Sequence, residues 1–87
     1  MGSMEVFEGS DRLNITATNT ALKSGNLIGI LVASSTSGTL KVADVNGTIC
    51  NTMNVTEGSF YRMPTRFMGG LTVTVGGTLN ATIFYKI

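Results

Sequence analysis

The sequence has no histidine and no tryptophan, and its 87 residues include one cysteine and one proline. Without histidine, a serine or cysteine nucleophile lacks its usual base, and a transition metal lacks its commonest protein ligand. A single cysteine excludes a disulfide bond within the chain. Charged residues make up 13% of the chain and leave a net charge of only +1. We therefore expect no enzyme activity, no metal site and no cofactor, and nucleic acid is an unlikely partner.

Hydrophobic residues are plentiful, at 43% of the chain. A chain of this size buries about 60% of its unfolded surface, which is enough for one core. Residues 1–3 have the composition of an expression-tag remnant, so we predict one domain over residues 4–87. The longest apolar run, residues 27–33, is far shorter than the roughly 20 residues of a membrane helix. We expect no membrane partner and no signal peptide, and we interpret the low charge as surface buried against other subunits.

Apolar and polar residues alternate along most of the chain, which is the pattern of strands with one buried face. Many short strands at regular spacing are typical of an all-β protein. We predict an antiparallel two-sheet β-sandwich, jelly-roll-like or immunoglobulin-like, of seven or eight short strands. The predicted strands cover residues 5–7, 13–18, 27–34, 39–44, 48–53, 60–63, 71–75 and 78–85.

Small and turn-forming residues separate these strands. Residues 34–38 form a predicted hairpin loop, Asn46-Gly47 is a strong hairpin signal, and Gly76-Gly77 predicts a two-residue reversal. Pro64 cannot donate to a strand ladder, so it should end a strand or lie on an edge. The continuous apolar run at residues 27–33 predicts a central strand, covered by the core on one face and by a neighbouring subunit on the other.

Residues 60–68 combine three of the six aromatic residues with two of the three arginines. Three interpretations stay open. Phe60 and Phe67 could fill the core while Arg62 and Arg66 stay in water, or the segment could be a protein interface, which favours aromatic residues and arginine. It could also bind single-stranded nucleic acid by stacking, although two arginines are few contacts for phosphates.

The order of four segments resembles that of small β-rich virion proteins of tailed bacteriophages. These segments are residues 21–32 with the pattern GxLxGIxV, residues 37–44 with SGTLxxxD, residues 61–73 with PxxFxxGL, and a closing strand at residues 81–85. The resemblance implies a capsid decoration or cement protein: a small β-sandwich, usually a homotrimer, that binds the major capsid protein over capsomer junctions. It also implies synthesis in the host cytoplasm and a final location on the virion surface.

Within this resemblance, Tyr61, Arg62 and Arg66 are the candidate partner contacts in the second half of the chain. In the first half the candidates are Met4, Val6 and Phe7, which could pair as a strand with a neighbouring subunit or a capsid edge. A tail or head-tail structural protein would share this fold and composition. A carbohydrate-binding or receptor-binding module is a further alternative, with Tyr61, Tyr85 and Asn46 as its candidate residues.

Overall fold

The computed structural model describes residues 11–87, which form one antiparallel sheet and contain no helix. This confirms the all-β fold class. The five strands are β1 (Asp11–Ile15), β2 (Gly25–Asp44), β3 (Gly47–Asn54), β4 (Phe60–Phe67) and β5 (Thr72–Lys86). The predicted strand at residues 5–7 and the predicted tag remnant at residues 1–3 lie outside the described residues.

Strand β2 is the centre of the sheet and pairs with three other strands. Strand β5 pairs with β2 along almost all of its length. On the other edge of β2, β4 pairs with the first part of the strand and β3 with the last part. Strand β1 pairs with the C-terminal part of β5. The prediction that residues 27–33 form a central strand is therefore confirmed.

The prediction of seven or eight short strands is wrong for residues 11–87, because two predicted reversals do not occur. The strands continue through residues 34–38 and through Gly76-Gly77 without a reversal, so two pairs of predicted strands merge into β2 and β5. The ladder between β2 and β5 shifts register at three places, and each shift places an extra residue in β2. Such bulges bend a strand without ending it. Two residues at the third bulge, Ser37 and Gly77, have positive φ angles of 53° and 69°.

The bends bring the two ends of β2 close together. Gly25, at the first end, pairs with Phe67 of β4. Just beyond the other end, the Val45 N–H donates a hydrogen bond of 3.2 Å to the carbonyl of Met68, the residue after Phe67. The sheet is therefore strongly curved, and its concave side encloses the core.

One hydrophobic core contains side chains from both ends of the long strands. Ile30 from the first part of β2 and Leu40 from the last part are both fully buried. Phe67 is the largest fully buried side chain. The buried members of the core are Ile15, Leu27, Ile30, Val32, Leu40, Val42, Val55, Phe67, Leu71, Val73, Leu79, Ala81 and Ile83.

The turn between β2 and β3 is the reversal that Asn46-Gly47 predicted, but its centre is one residue earlier. Asp44 pairs with Gly47, so Val45 and Asn46 are the two turn residues. Gly47 has a φ angle of 127°, whereas Asn46 keeps a negative φ angle. A hydrogen bond of 2.9 Å from the Asn46 N–H to Asp44 Oδ1 closes the turn. Pro64 lies inside β4, which is an edge strand, as its missing N–H requires.

Candidate functional site

The convex side of the sheet, opposite the core, carries an ordered set of apolar side chains and arginines. Residues on this side alternate with core residues along four neighbouring strands, so their position follows directly from the period of two. We call this surface the outer face. Its central part comprises Arg12, Asn14, Gly29, Leu31, Phe60, Arg62, Thr82 and Phe84.

The strand register arranges the outer face in two rows that cross β1, β5, β2 and β4 in that order. The first row contains Arg12, Phe84, Gly29 and Arg62, and the second contains Asn14, Thr82, Leu31 and Phe60. Arginine therefore stands at each end of the first row. Aromatic and aliphatic side chains fill much of the surface between them.

Phe60 is held in place by its neighbours on the outer face. Its ring lies over Gly29, where an added Cβ would come within 2.6 Å of the Phe60 Cζ atom. The rings of Phe60 and Phe84 meet edge to face, with centroids 6.1 Å apart and planes at 68°. Such a pair contributes roughly 0.5–1.5 kcal/mol beyond the area it buries. Glycine at position 29 thus gives the aromatic pair its position.

The outer face combines exposed apolar area with exposed positive charge. Leu31 is 36% exposed and Phe60 is 38% exposed, and the two are register partners. Arg12 and Arg62 are also exposed, and within residues 11–87 neither makes an ion pair with a carboxylate. Apolar side chains on a rigid sheet, flanked by arginine, are the residue mix of protein interfaces.

Thr82 and Asn14 complete the second row at its polar end. The Thr82 hydroxyl donates a short hydrogen bond to Asn14 Oδ1, which links β5 to β1 through their side chains. This bond fixes two side chains beside Leu31 and Phe84. The polar end of the row is therefore held by a side-chain hydrogen bond within the sheet.

Tyr61, one of the predicted contacts, points away from the outer face and packs against the core. Its hydroxyl oxygen accepts a hydrogen bond of 2.7 Å from the Thr56 N–H, which ties β4 to the turn before it. That hydrogen bond lowers the pKa of the Tyr61 hydroxyl. Tyr85 also packs against the core, and both tyrosines are partly buried.

Arg66 lies apart from Arg62, in a cleft of about 410 Å³ between the beginning of β3 and β4. A bulge in β4 separates the two arginines, because Leu27 and Gly29 pair with Thr65 and Arg62. The Asp44 carboxylate, which also lines this cleft, accepts two backbone N–H bonds, from Asn46 at 2.9 Å and from Met68 at 3.1 Å. The structure therefore places the two predicted arginine contacts in different surroundings.

Sequence reasoning found Arg62 but missed Arg12, Leu31, Phe60 and Phe84 as members of one surface. The sequence left open whether Phe60 and Phe67 both fill the core. Phe67 is in the core, whereas Phe60 is on the outer face. The alternation of residues along β4 could have predicted this arrangement. Tyr61 and Met63 face the core, so Phe60 and Arg62 face the other side. The other predicted contacts, Met4, Val6 and Phe7, lie outside the described residues.

Comparison of the chain with protein-family models, with curated proteins and with solved structures found no match. Within residues 11–87, no helix is long and apolar enough to cross a membrane. In the same part of the chain, no group of three or more cysteine, aspartate or glutamate side chains is placed to hold a metal ion.

Proposed function

We propose that this chain is a structural protein of a tailed-phage particle, which decorates the capsid and stabilises it by binding as an oligomer over capsomer junctions. The outer face carries this proposal, because it presents Leu31 and Phe60 in an exposed row beside Arg12 and Arg62. In the single chain, Leu31 and Phe60 remain partly exposed to water. A subunit that buries the outer face against a shell protein gains hydrophobic contact and arginine–carboxylate pairs.

Arg12 and Arg62 have distinct roles in this proposal. They stand at opposite ends of one row, about three strand spacings or 14 Å apart. A guanidinium group binds a carboxylate through two parallel N–H bonds, which fixes direction as well as distance. Two such clamps at opposite ends of an apolar surface would set the orientation of the subunit on its partner.

Attachment would be strong because it is multivalent. A trimer that presents three outer faces to one lattice converts weak single contacts into a firm attachment, with gains of about 10² to 10⁴ from effective concentration. Ligands that bind only the assembled state stabilise that state by mass action. The mechanism is therefore energetic and requires no chemical step.

The finer fold assignment, a β-sandwich, belongs to the same proposal. The two parts of β2 on either side of its bends would form the two layers, together with the matching parts of β5. The shared core supports this, because Ile30 and Leu40 come from different parts of β2 and belong to one buried cluster.

The direct test is co-sedimentation with expanded and unexpanded shells of the cognate phage. The wild-type chain should pellet with expanded shells, and Leu31→Ser and Arg62→Gln should each reduce the bound fraction at least several-fold. Lys23→Gln is the matched control, because Lys23 is exposed and lies in the loop before β2, away from the outer face. Equal loss with the control variant would show that the outer face is not the attachment surface.

Two further readouts separate the parts of the proposal. Sedimentation velocity at micromolar concentration should show a closed oligomer, and a monomer over that range would contradict multivalent attachment. If the wild-type chain pellets with neither shell form, the capsid role is wrong, and assembled tails and head-tail connectors become the next binding partners to assay.

A further inference from the structure

The cleft between β3 and β4 is separate from the outer face, and it shares no residue with the two rows described above. It has a volume of about 410 Å³ and is lined by residues within the ranges 44–49 and 63–66. Small-molecule sites in proteins typically have volumes of about 300–1,000 Å³. Asn46, Thr48 and Arg66 are exposed, so the cleft is accessible from solvent. The chemistry of its lining side chains then determines which class of ligand it fits.

The two charged side chains of the cleft, Asp44 and Arg66, have opposite signs. Within residues 11–87 they form no ion pair with each other or with another side chain. A group that contacts both must therefore lie between them. Their charges cancel, so a ligand with a net charge of either sign would meet one group of like charge. The cleft therefore fits a neutral ligand that carries both hydrogen-bond donors and acceptors.

The Asp44 carboxylate is held in position by two backbone N–H groups. Asn46 donates to Oδ1 and Met68 donates to Oδ2. An ionised carboxylate has about four lone-pair positions, so each oxygen keeps one for a ligand. Arg66 supplies only donors, because a guanidinium group has no acceptor. The same cleft thus contains a fixed acceptor and a donor-only group.

The uncharged side chains of the cleft add further polar groups and an apolar surface. Within the described part of the chain, the Thr48 hydroxyl and the Asn46 side-chain amide make no hydrogen bond. Each of them can donate and accept. Ile49 and Met63 also line the cleft, and both pack against the core. A few polar groups beside an apolar surface are typical of small-molecule sites.

We propose that this cleft binds a neutral sugar, as one unit of a glycan. Neighbouring hydroxyl groups of a sugar ring can donate to Asp44 and accept from Arg66 at the same time, since each hydroxyl is both donor and acceptor. The C–H face of the ring would pack on Ile49 and Met63. The proposal does not depend on the proposed function, because the cleft and the outer face consist of different residues.

The experiment titrates the isotope-labelled full chain with the methyl glycosides of glucose, galactose, mannose and N-acetylglucosamine. The backbone amide signals of Thr48 and Arg66 should shift in a saturable way with at least one of them. We expect a dissociation constant in the millimolar range, which is ordinary for a small ligand in an open cleft. The absence of a saturable shift with all four glycosides would overturn the proposal.

Two further probes test the class of ligand. Glucuronate carries a negative charge on the same ring, and N-acetylalanine methylamide carries the donors and acceptors of a peptide. Both should bind more weakly than the best neutral glycoside. Tighter binding of glucuronate would make the cleft an anion site, and tighter binding of the amide would make it a peptide site. Either result would overturn the assignment to a neutral sugar.

Arg66→Gln and Arg62→Gln are a matched pair of variants. The change is the same and both residues are exposed in β4, but only Arg66 lines the cleft. Arg66→Gln should raise the dissociation constant several-fold, whereas Arg62→Gln should leave it unchanged. Thr48→Val keeps the shape of the side chain without its hydroxyl and should also raise the constant. Equal effects of the two arginine variants would show that the sugar binds outside the cleft. Spectra that match the wild type away from the changed residue establish that each variant folds.

The same pair separates the cleft from the proposed attachment surface. With expanded shells, Arg62→Gln should reduce binding and Arg66→Gln should retain it. If no chain binds shells, the proposed function fails, while the glycoside titration still decides whether the cleft binds a sugar. If the chain binds shells and no glycoside, the sugar site alone is wrong.

Discussion

The two faces of the sheet are built from the same strands but meet different surroundings. Ile30 and Val32 are completely buried on the concave face, whereas Leu31, between them, is 36% exposed on the convex face. Curvature makes this difference, because the bulges in β2 turn both parts of the strand toward one core and leave the other side without a second layer within residues 11–87. A continuous apolar run in a strand therefore indicates two surfaces, of which folding buries one more completely than the other.

The largest expected effect is the difference in stability loss between two neighbouring residues of β2, Ile30 in the core and Leu31 on the outer face. Ile30→Ala leaves a cavity in the core and should lower the free energy of unfolding by about 2–5 kcal/mol. Leu31→Ala removes a partly exposed side chain and should cost about 1 kcal/mol or less. Urea denaturation of both variants measures the difference. Equal losses would show that the outer face is as important for folding as the core.

Gly29→Ala tests how closely the outer face is packed. An added Cβ would lie 2.6 Å from Phe60 Cζ and 2.7 Å from the Tyr61 carbonyl oxygen. Overpacking of this kind costs roughly 1–3 kcal/mol. In a Phe60→Ala background, Gly29→Ala should cost less stability than it does in the wild-type chain. Some cost should remain, because the close approach to the Tyr61 carbonyl oxygen remains. No cost of Gly29→Ala in that background would mean that the Phe60 ring alone excludes the methyl group.

Asp44→Ala tests the closure of the curved sheet, on which the difference between the faces depends. The carboxylate accepts N–H bonds from Asn46 and from Met68, so it joins the hairpin turn to the end of β4. We expect a loss of about 1–2 kcal/mol by thermal or urea denaturation. Glu57→Ala is the control, because Glu57 accepts one longer bond of 3.4 Å from the Ser35 N–H. A larger loss in the control would assign the closure to the β3–β4 turn instead.

The smallest effect concerns Tyr61, the residue of β4 that faces inward. Its hydroxyl accepts the Thr56 N–H, which favours the phenolate and lowers the pKa in the folded chain relative to the unfolded chain. This stabilisation is present above the unfolded pKa and is lost as the pH falls through the folded pKa. In Tyr85→Phe, Tyr61 is the one remaining tyrosine, and its ultraviolet titration should have a lower midpoint in buffer than in urea. A higher midpoint in buffer would mean that desolvation outweighs the hydrogen bond.

Local patterns in the sequence predicted most of the strand residues but not the strand boundaries. Alternation at residues 78–85 and 39–44 places the correct side chains in the core, including Leu79, Ile83 and Leu40. The same residues belong to longer strands, because residues 34–38 and Gly76-Gly77 bend the chain without reversing it. Small residues are equally suited to a hairpin and to a bulge, and the pairing partner decides between them.

The candidate site was predictable only in part for a similar reason. The composition of residues 60–68 left a core segment, a protein interface and a nucleic-acid site open, and the structure places Arg62 on the outer face. Arg12, Leu31 and Phe84 come from three other strands, and only the register of those strands places them beside Phe60. Arg66 was grouped with Arg62 by sequence distance, but the bulge in β4 separates their surroundings.

By itself, the sequence determined the all-β class, the central position of residues 27–33 and the parity of core residues, because these follow from the period of a strand and from local side-chain chemistry. The tertiary structure decided the number of strands, the curvature and the membership of the outer face. Those properties depend on which distant backbone groups pair with one another, and many registers are compatible with the same local pattern. Non-local pairing therefore divides one apolar run between a buried core and a partly exposed row of side chains.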